Sequence, residues 1–377
     1  MYISSNPRIP IGDLLGFPKW RRVDSETAFS DCRKFEYSQV REAVADFIRA
    51  AELKPGDSVL VPAYICSAVI DPFQKLGIQV LFYPVEKTLA PDARAIRELL
   101  LKKPRAILIV HYFGFPAQAE AVIQECRAHG LWIIEDCAHT LPLLKKGIMG
   151  DVGDVTMYSL PKLLPIPDGA VVVVNNARLT WPHAPSKANR RLVLVNLVWQ
   201  AANTLEVLIG VSLRTHLRQS RTSTKVITVL REPSTGNGQV RSYHRFRMSP
   251  VAQAIRRRMD LESIAKRRQQ NYRWLLAAVK SIKGVTPIFG DLEPPSAPLG
   301  FPILVEHRDA VRSKLISAGV DPRPIWSGLP AQVPIEGFGD ARYVAAHNIV
   351  LPVHQDLTPR ALAHIVSALD RALAITN

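Results

Sequence analysis

From residue 40 onward the polarity pattern switches repeatedly between two periods. "VREAVADFIRAAEL" (40–53) places apolar residues at helical spacing, and "KPGDS" stops the run. "VLVPAYIC" then reads as a short buried strand. A helix-like stretch over 67–76 leads to "QVLFYPV", a helix over 91–102 leads to "AILIVHYFG", and a helix over 117–129 feeds "LWIIEDC". After a loop come "DVTMYSL" and "AVVVVNN". Short apolar runs alternating with helices predict βαβ units and a mostly parallel sheet, since parallel strands are covered on both faces.

The texture changes near Met248. The spacing predicts one long helix over 251–282, then a Pro/Gly-rich connection, "TPIFGDLEPPSAPLGF". A strand "FPILV", a helix over 308–318 and a last helix over 358–374 follow. The expected organisation is a large domain over 1–247, with an extended insertion at about 180–244, and a smaller α/β domain over 248–377.

The stretch Leu192 to Leu213 stands apart, because Glu206 is its one charge. Its length would just allow a membrane crossing, but Asn196, Gln200, Asn203, Thr204 and Glu206 interrupt it. Two expectations remain open: a helix packed in the protein or at a subunit interface, and a helix lying in a membrane surface beside the basic run "RTHLRQSRTSTK".

Charge and cysteine content narrow the partners. The net charge is +15, which favours anionic ligands such as phosphorylated metabolites, nucleic acid or a membrane surface. No helix-turn-helix or RNA-binding signature accompanies the charge, so nucleic acid is not the expected partner. Cys32, Cys66, Cys126 and Cys137 show neither CxxC nor Cys/His spacing, so no metal site is expected. Free thiols and an N-terminus without the pattern of a signal peptide point to a cytoplasmic protein.

The chemistry concentrates at strand ends. Parallel sheets bind ligands at the carboxyl ends of their strands, where Asp136 and His111 fall. In "SLPKLLPIPDGAVVVV" Lys162 lies between two buried strands, in a loop closed by Gly169. A buried amine is costly unless paired or masked, and a Schiff base to an aldehyde cofactor is one remedy. Pyridoxal phosphate needs such a lysine, an acid on its pyridine nitrogen, and donors for its phosphate. Lys162 can be the lysine, Asp136 the acid and Ser159 a phosphate donor, while His139 can sit over the ring or hold a cofactor oxygen. His111 and Gly114 are expected only to shape a loop.

At these residues the chain resembles the DegT/DnrJ/StrS-type sugar aminotransferases. The likeness rests on "LKPGDSVLVPAYIC", "HYFGFPAQAEAV", "WIIEDCAHTL", "GDVGDVTMYSLPK" with "DGAVVV", "FRMSPVAQA" and "VLPVHQDLT", in the family's order. It implies an aspartate-aminotransferase-like α/β fold (pyridoxal-phosphate fold type I), transamination of a nucleotide-linked keto-sugar with glutamate as donor, a role in polysaccharide-type sugar synthesis, and a homodimer.

Some positions depart from the family pattern. Ser159 and Lys162 are three residues apart, closer than usual. The glycine-containing phosphate loop is here "QVREAV" (39–44), so Arg41 would grip the phosphate. Arg245 stands where an asparagine usually reaches the partner's cofactor phosphate. Tyr64 or Cys66 would take the aromatic stacking position, with Tyr64 the expected one. A dehydratase of this fold carries histidine in place of the lysine, which Lys162 argues against. A regulatory or scaffold protein is the other alternative, supported by the altered phosphate loop.

Overall fold

The computed structural model describes residues 1–9, 32–143, 149–210, 245–290, 292, 296–323 and 325–374. Its main sheet has seven strands: β1 (Lys34–Tyr37), β2 (Ser58–Pro62), β3 (Gln79–Tyr83), β4 (Ala106–Val110), β5 (Trp132–Asp136), β6 (Val155–Ser159) and β7 (Ala170–Val174). Their spatial order is β1-β7-β6-β5-β4-β2-β3. Strands β3, β2, β4, β5 and β6 are mutually parallel, and β7 runs antiparallel to β6. The expected βαβ series is therefore present, through α1 (Val40–Ala50), α2 (Ser67–Lys75), α3 (Ala93–Leu100) and α4 (Glu120–Ala128). The runs "AILIV" and "AVVVV" are buried at every position, as strands covered on both faces must be.

The order reverses between β2 and β4. Chain that went outward through β3 returns to the other side of β2, opening a crevice at the carboxyl edge. Strand β1, "KFEY", was not foreseen. It has four residues at the sheet edge, pairs only with β7, and carries no apolar run to mark it.

The helix expected over 251–282 is two: α6 (Pro250–Arg256) and α7 (Leu261–Ala278). The break is chemical. Asp260 leaves the helix to cap α7, its Oδ1 accepting from the Ser263 N–H at 3.0 Å. A second sheet joins β8 (Thr286–Pro287), β9 (Phe301–Leu304) and β10 (Asn348–Leu351) in the order β10-β9-β8. Helices α8 (Arg308–Ser317), α9 (Gly339–His347) and α10 (Pro359–Ala374) accompany it. The chain's first residues join this region, with Ile3 bridged to Val320 and the Asp321 N–H bonded to the Ile3 carbonyl at 2.9 Å.

The apolar segment forms α5 (Arg190–Ile209), capped by the Asn189 side chain. Its polar side is turned inward. Asn196 donates to the Pro167 carbonyl at 2.6 Å, Gln200 to the Ile166 carbonyl at 2.5 Å, and Asn203 accepts from Ser4 Oγ at 2.6 Å. Glu206 is buried, whereas Leu194, Val198, Leu205, Leu208 and Ile209 are exposed. The helix is packed against the protein, as one expectation had it, and the packed side is the polar one. Residues 211–213 of the expected segment, and the basic run after it, lie outside the described residues.

Candidate active site

Two consecutive acids end β5, and strand alternation sends them to opposite faces. Glu135 serves structure. Its carboxylate accepts from the Gly150 N–H (2.9 Å) and the Gly153 N–H (2.6 Å) and meets His111 Nε2 at 3.0 Å. Burial alone would raise its pKa, but the His111 and backbone hydrogen bonds outweigh it and hold the carboxyl below its ordinary range. His111 Nδ1 accepts the Ala117 N–H at 3.0 Å, which puts the proton on Nε2, where it is donated to Glu135. His111, Glu135 and Cys137 do lie within 4.8 Å of one another. Both imidazole nitrogens are engaged, however, and the carboxylate is filled by donors, so these bonds close the cluster to a metal.

Asp136 faces the other way and is buried. One carboxylate oxygen accepts the Ala138 N–H at 2.9 Å. Burial raises its pKa, and the Lys162 charge opposes the rise. Lys162 ends a short 3-10 turn, Leu160–Lys162, that follows β6. Burial lowers its pKa, while Asp136 and the Cys66 thiol oppose the fall. The two groups thus lie in each other's field at the tips of neighbouring strands, and each is pushed towards its neutral form. An aromatic cation set between them would relieve both, which is the demand that the ring of pyridoxal phosphate meets. The residues present fit that group: Lys162 would hold its aldehyde carbon and Asp136 its ring nitrogen.

His139 lies within the field of Lys162. Its Nδ1 accepts the Phe113 N–H at 3.1 Å, so the proton sits on Nε2. Burial, then the Lys162 charge, hold its pKa well below the usual value, so the ring is neutral. Ser159 closes β6, half-buried, three residues before Lys162. Gly114 has φ +91°, and a Cβ there would lie 2.6 Å from the Ala297 carbonyl and 2.8 Å from the His139 carbonyl. Only glycine allows this turn to approach the loop that carries His139.

The remaining expected residues fall differently. Arg41 is half-buried in the first turn of α1, whose N-terminus has no side-chain cap. That turn is tied to the end of the lysine loop by the Gly169 N–H donating to the Ser38 carbonyl at 2.9 Å. A helix N-terminus with a nearby guanidinium suits a phosphate. Tyr64 does not present the expected stacking ring. It is enclosed, with its hydroxyl donating to the Ile325 carbonyl at 2.5 Å and its ring against Tyr112 (5.6 Å) and Trp326 (5.1 Å). Cys66 is the group of that segment in the field of Lys162. Arg245, expected to reach the partner's cofactor phosphate, is engaged within its own chain. It pairs with Asp46 of its own chain at 2.8 Å, because that fully buried carboxylate needs cations: Arg49 also reaches it at 2.9 Å, and the Tyr37 hydroxyl donates at 2.6 Å.

Three contributors escaped the sequence reading. Trp326 brings its ring within 5.1 Å of that of His139, at a left-handed φ of 48°. Glu42, buried in the first turn of α1, accepts the Phe246 N–H at 3.0 Å. Arg268 is fully buried, yet it donates to the carbonyls of Leu163 (3.1 Å) and Pro298 (2.9 Å). The first two are single residues in irregular or unrelated patterns. Arg268 is one arginine in the run "AKRRQQ", and nothing local marks it from its neighbours.

Residues 42–184 match the model of the DegT/DnrJ/EryC1/StrS aminotransferase family. A 137-residue stretch is 30% identical to UDP-N-acetyl-3-dehydro-alpha-D-glucosamine 3-aminotransferase of Acidithiobacillus ferrooxidans, covering 35% of this chain and 37% of that protein. A 159-residue stretch is 27% identical to GDP-perosamine synthase of Vibrio cholerae, covering 40% and 43%. The matched part thus spans less than half the length of these curated relatives. In three dimensions the chain superposes over its full length on PseC of Helicobacter pylori, an aminotransferase involved in the biosynthesis of pseudoaminic acid, with TM-score 0.68 at 14% identity. The fold is that of the type I pyridoxal-phosphate aminotransferases.

Proposed function

We propose, from the match of residues 42–184 to the model of the DegT/DnrJ/EryC1/StrS aminotransferase family, that this protein is a pyridoxal-phosphate-dependent transaminase. It moves an amino group from glutamate to a keto-sugar carried on a nucleoside diphosphate, and it works as a homodimer. The observation that carries the reading is that buried Asp136, at the end of β5, and half-buried Lys162, just after the neighbouring parallel strand β6, lie in each other's field. Two named relatives, one a 3-aminotransferase of a UDP-sugar and one a GDP-perosamine synthase, support the substrate class.

Bound pyridoxal phosphate supplies an electron-withdrawing ring that makes the donor's α-proton removable. Each protein group then has one task. Asp136 would hold the ring nitrogen and keep its proton in place. Lys162 Nζ, made less basic by burial, would take the α-proton from the amino donor and return it as the base of the transfer. Neutral His139, fixed by the Phe113 N–H at its Nδ1, would offer its Nε2–H to a cofactor oxygen. Arg41 and the first turn of α1 bind the phosphate. The Trp326 ring covers His139 and excludes water from that wall.

The test is spectroscopic. The purified protein, loaded with pyridoxal phosphate, is expected to show a visible absorption band that glutamate bleaches. Borohydride is expected to fix the cofactor to Lys162, and Lys162→Ala to abolish both band and fixation. A band and fixation unchanged in that variant would overturn the assignment.

A further inference from the structure

Helix α5 is inside out. Polar side chains of the helix bond to the body of the protein: Asn196 and Gln200 to the Pro167 and Ile166 carbonyls, Asn203 to Ser4, and Thr204 to the Ile9 N–H at 3.1 Å. Its outer side carries Leu194, Val198, Ala201, Leu205 and Leu208, all exposed. Their spacing, four and three in alternation, draws one continuous apolar stripe along twenty residues, roughly 30 Å of helix. Among the described residues, α5 is the helix long and apolar enough to cross a bilayer, yet only 17% of it is buried. Exposed apolar stripes of this extent mark an interaction surface.

Charge selects the occupant. Between Asp168 and Glu232 the chain has nine Lys and Arg and a single acid, Glu206. That acid is buried, while Arg190 and Arg191 are exposed at the start of the stripe. In sequence, Arg214, Arg218, Arg221 and Lys225 follow its other end. Packing this face on a second copy in parallel brings the Arg190 and Arg191 pairs of the two copies together. An anionic surface takes the same charges favourably and accepts the apolar stripe as well. A nucleic acid would satisfy the charges but not the stripe.

We propose that α5 is a docking helix that lies in the plane of an anionic lipid bilayer, apolar stripe in the acyl boundary and Arg190 and Arg191 among the headgroups. It does not span, since Asn196, Gln200, Asn203 and Thr204 are bonded to the body of the protein and Glu206 is buried against it. The bonds to Ile166 and Pro167 fall between Lys162 and Gly169, so the helix that meets lipid also braces the lysine loop. The proposal does not depend on the transaminase reading, because docking is measured without substrate.

The experiment is flotation of the full-length protein with phosphatidylcholine vesicles, with and without phosphatidylglycerol. The wild type is expected to float with the anionic vesicles, to stay largely behind with neutral ones, and to release at high salt. The triple variant Leu194→Gln, Leu205→Gln, Leu208→Gln is expected to bind at least about tenfold more weakly, from lost apolar contact. Arg190→Gln with Arg191→Gln, on exposed side chains that leave the core intact, is expected to weaken binding to anionic vesicles alone. A wild type that remains unbound, or binds both vesicle types equally, overturns the proposal. So does a triple variant that floats as the wild type does, or one whose only change is dissociation of a dimer in light scattering, which would make the stripe a subunit interface.

Discussion

At the scale of single residues, burial decides more than identity. Glu135 and Asp136 are neighbours of nearly equal intrinsic acidity, yet their pKa values move in opposite directions. One gains several donors on its face of the strand; the other accepts the Ala138 N–H and lies in the field of a lysine, which burial outweighs. Glu42 shows the same physics in a place that titrates measurably. Burial pushes its carboxyl up to about 8, against the opposing bonds from Phe246 and Gln39. The folded state therefore prefers the protonated form. Its contribution is fully present below the unfolded value near 4.5 and is lost as pH rises through about 8. Between those limits the unfolding free energy should fall by an amount on the order of a few kcal/mol attributable to this group. Urea titrations of the wild type and of Glu42→Gln should show a pH slope that is smaller in the variant; equal slopes would refute it. The same group adjoins Arg41, so a site that must take a phosphate does so most easily while Glu42 keeps its proton.

At the scale of elements, the lysine loop and the turn after β4 set the site's shape. The turn reaches His139 only because residue 114 has no Cβ and accepts a φ of +91°. Gly114→Ala sets a methyl group against two backbone carbonyls and strains the backbone as well. A loss of about 3 kcal/mol or more in unfolding free energy is expected from denaturant curves. A loss under about 1 kcal/mol would show that the turn can shift without cost. Other elements were legible because their signals are local. The apolar runs of β2 to β7 and the spacing of the final helix mark themselves, and Thr358 caps that helix as its position suggests, accepting the Ala361 N–H at 3.2 Å. Four-residue β1 and the break at Asp260 lacked such signals. An edge strand with one partner needs no apolar run, and a capping aspartate inside a polar helical stretch looks like any surface acid until the chain turns there.

At the scale of the whole molecule, long-range bonds join what periodicity leaves separate. Arg268, on α7, holds carbonyls on either side of the cleft: Leu163 beside the lysine, and Pro298 and Leu299 (3.3 Å) ahead of β9. Arg268→Ala leaves buried carbonyls without donors, so a loss on the order of 3 kcal/mol is expected in equilibrium unfolding. Arg268→Lys keeps the charge but cannot span the same acceptors, and should recover only part of that loss. Full recovery by lysine would show that charge, not the planar fork, matters here. The sequence alone determined the alternation of strands and helices and the placing of Lys162 and Asp136 at neighbouring strand tips, because both follow from local patterns and from the rule that ligands gather at carboxyl edges. Only the tertiary structure decided that Arg245 serves Asp46, 199 positions away, that Tyr64 is enclosed, and that α5 turns its polar side inward. Each of those outcomes depends on which distant group offers a buried atom its hydrogen bond, and no local period carries that information.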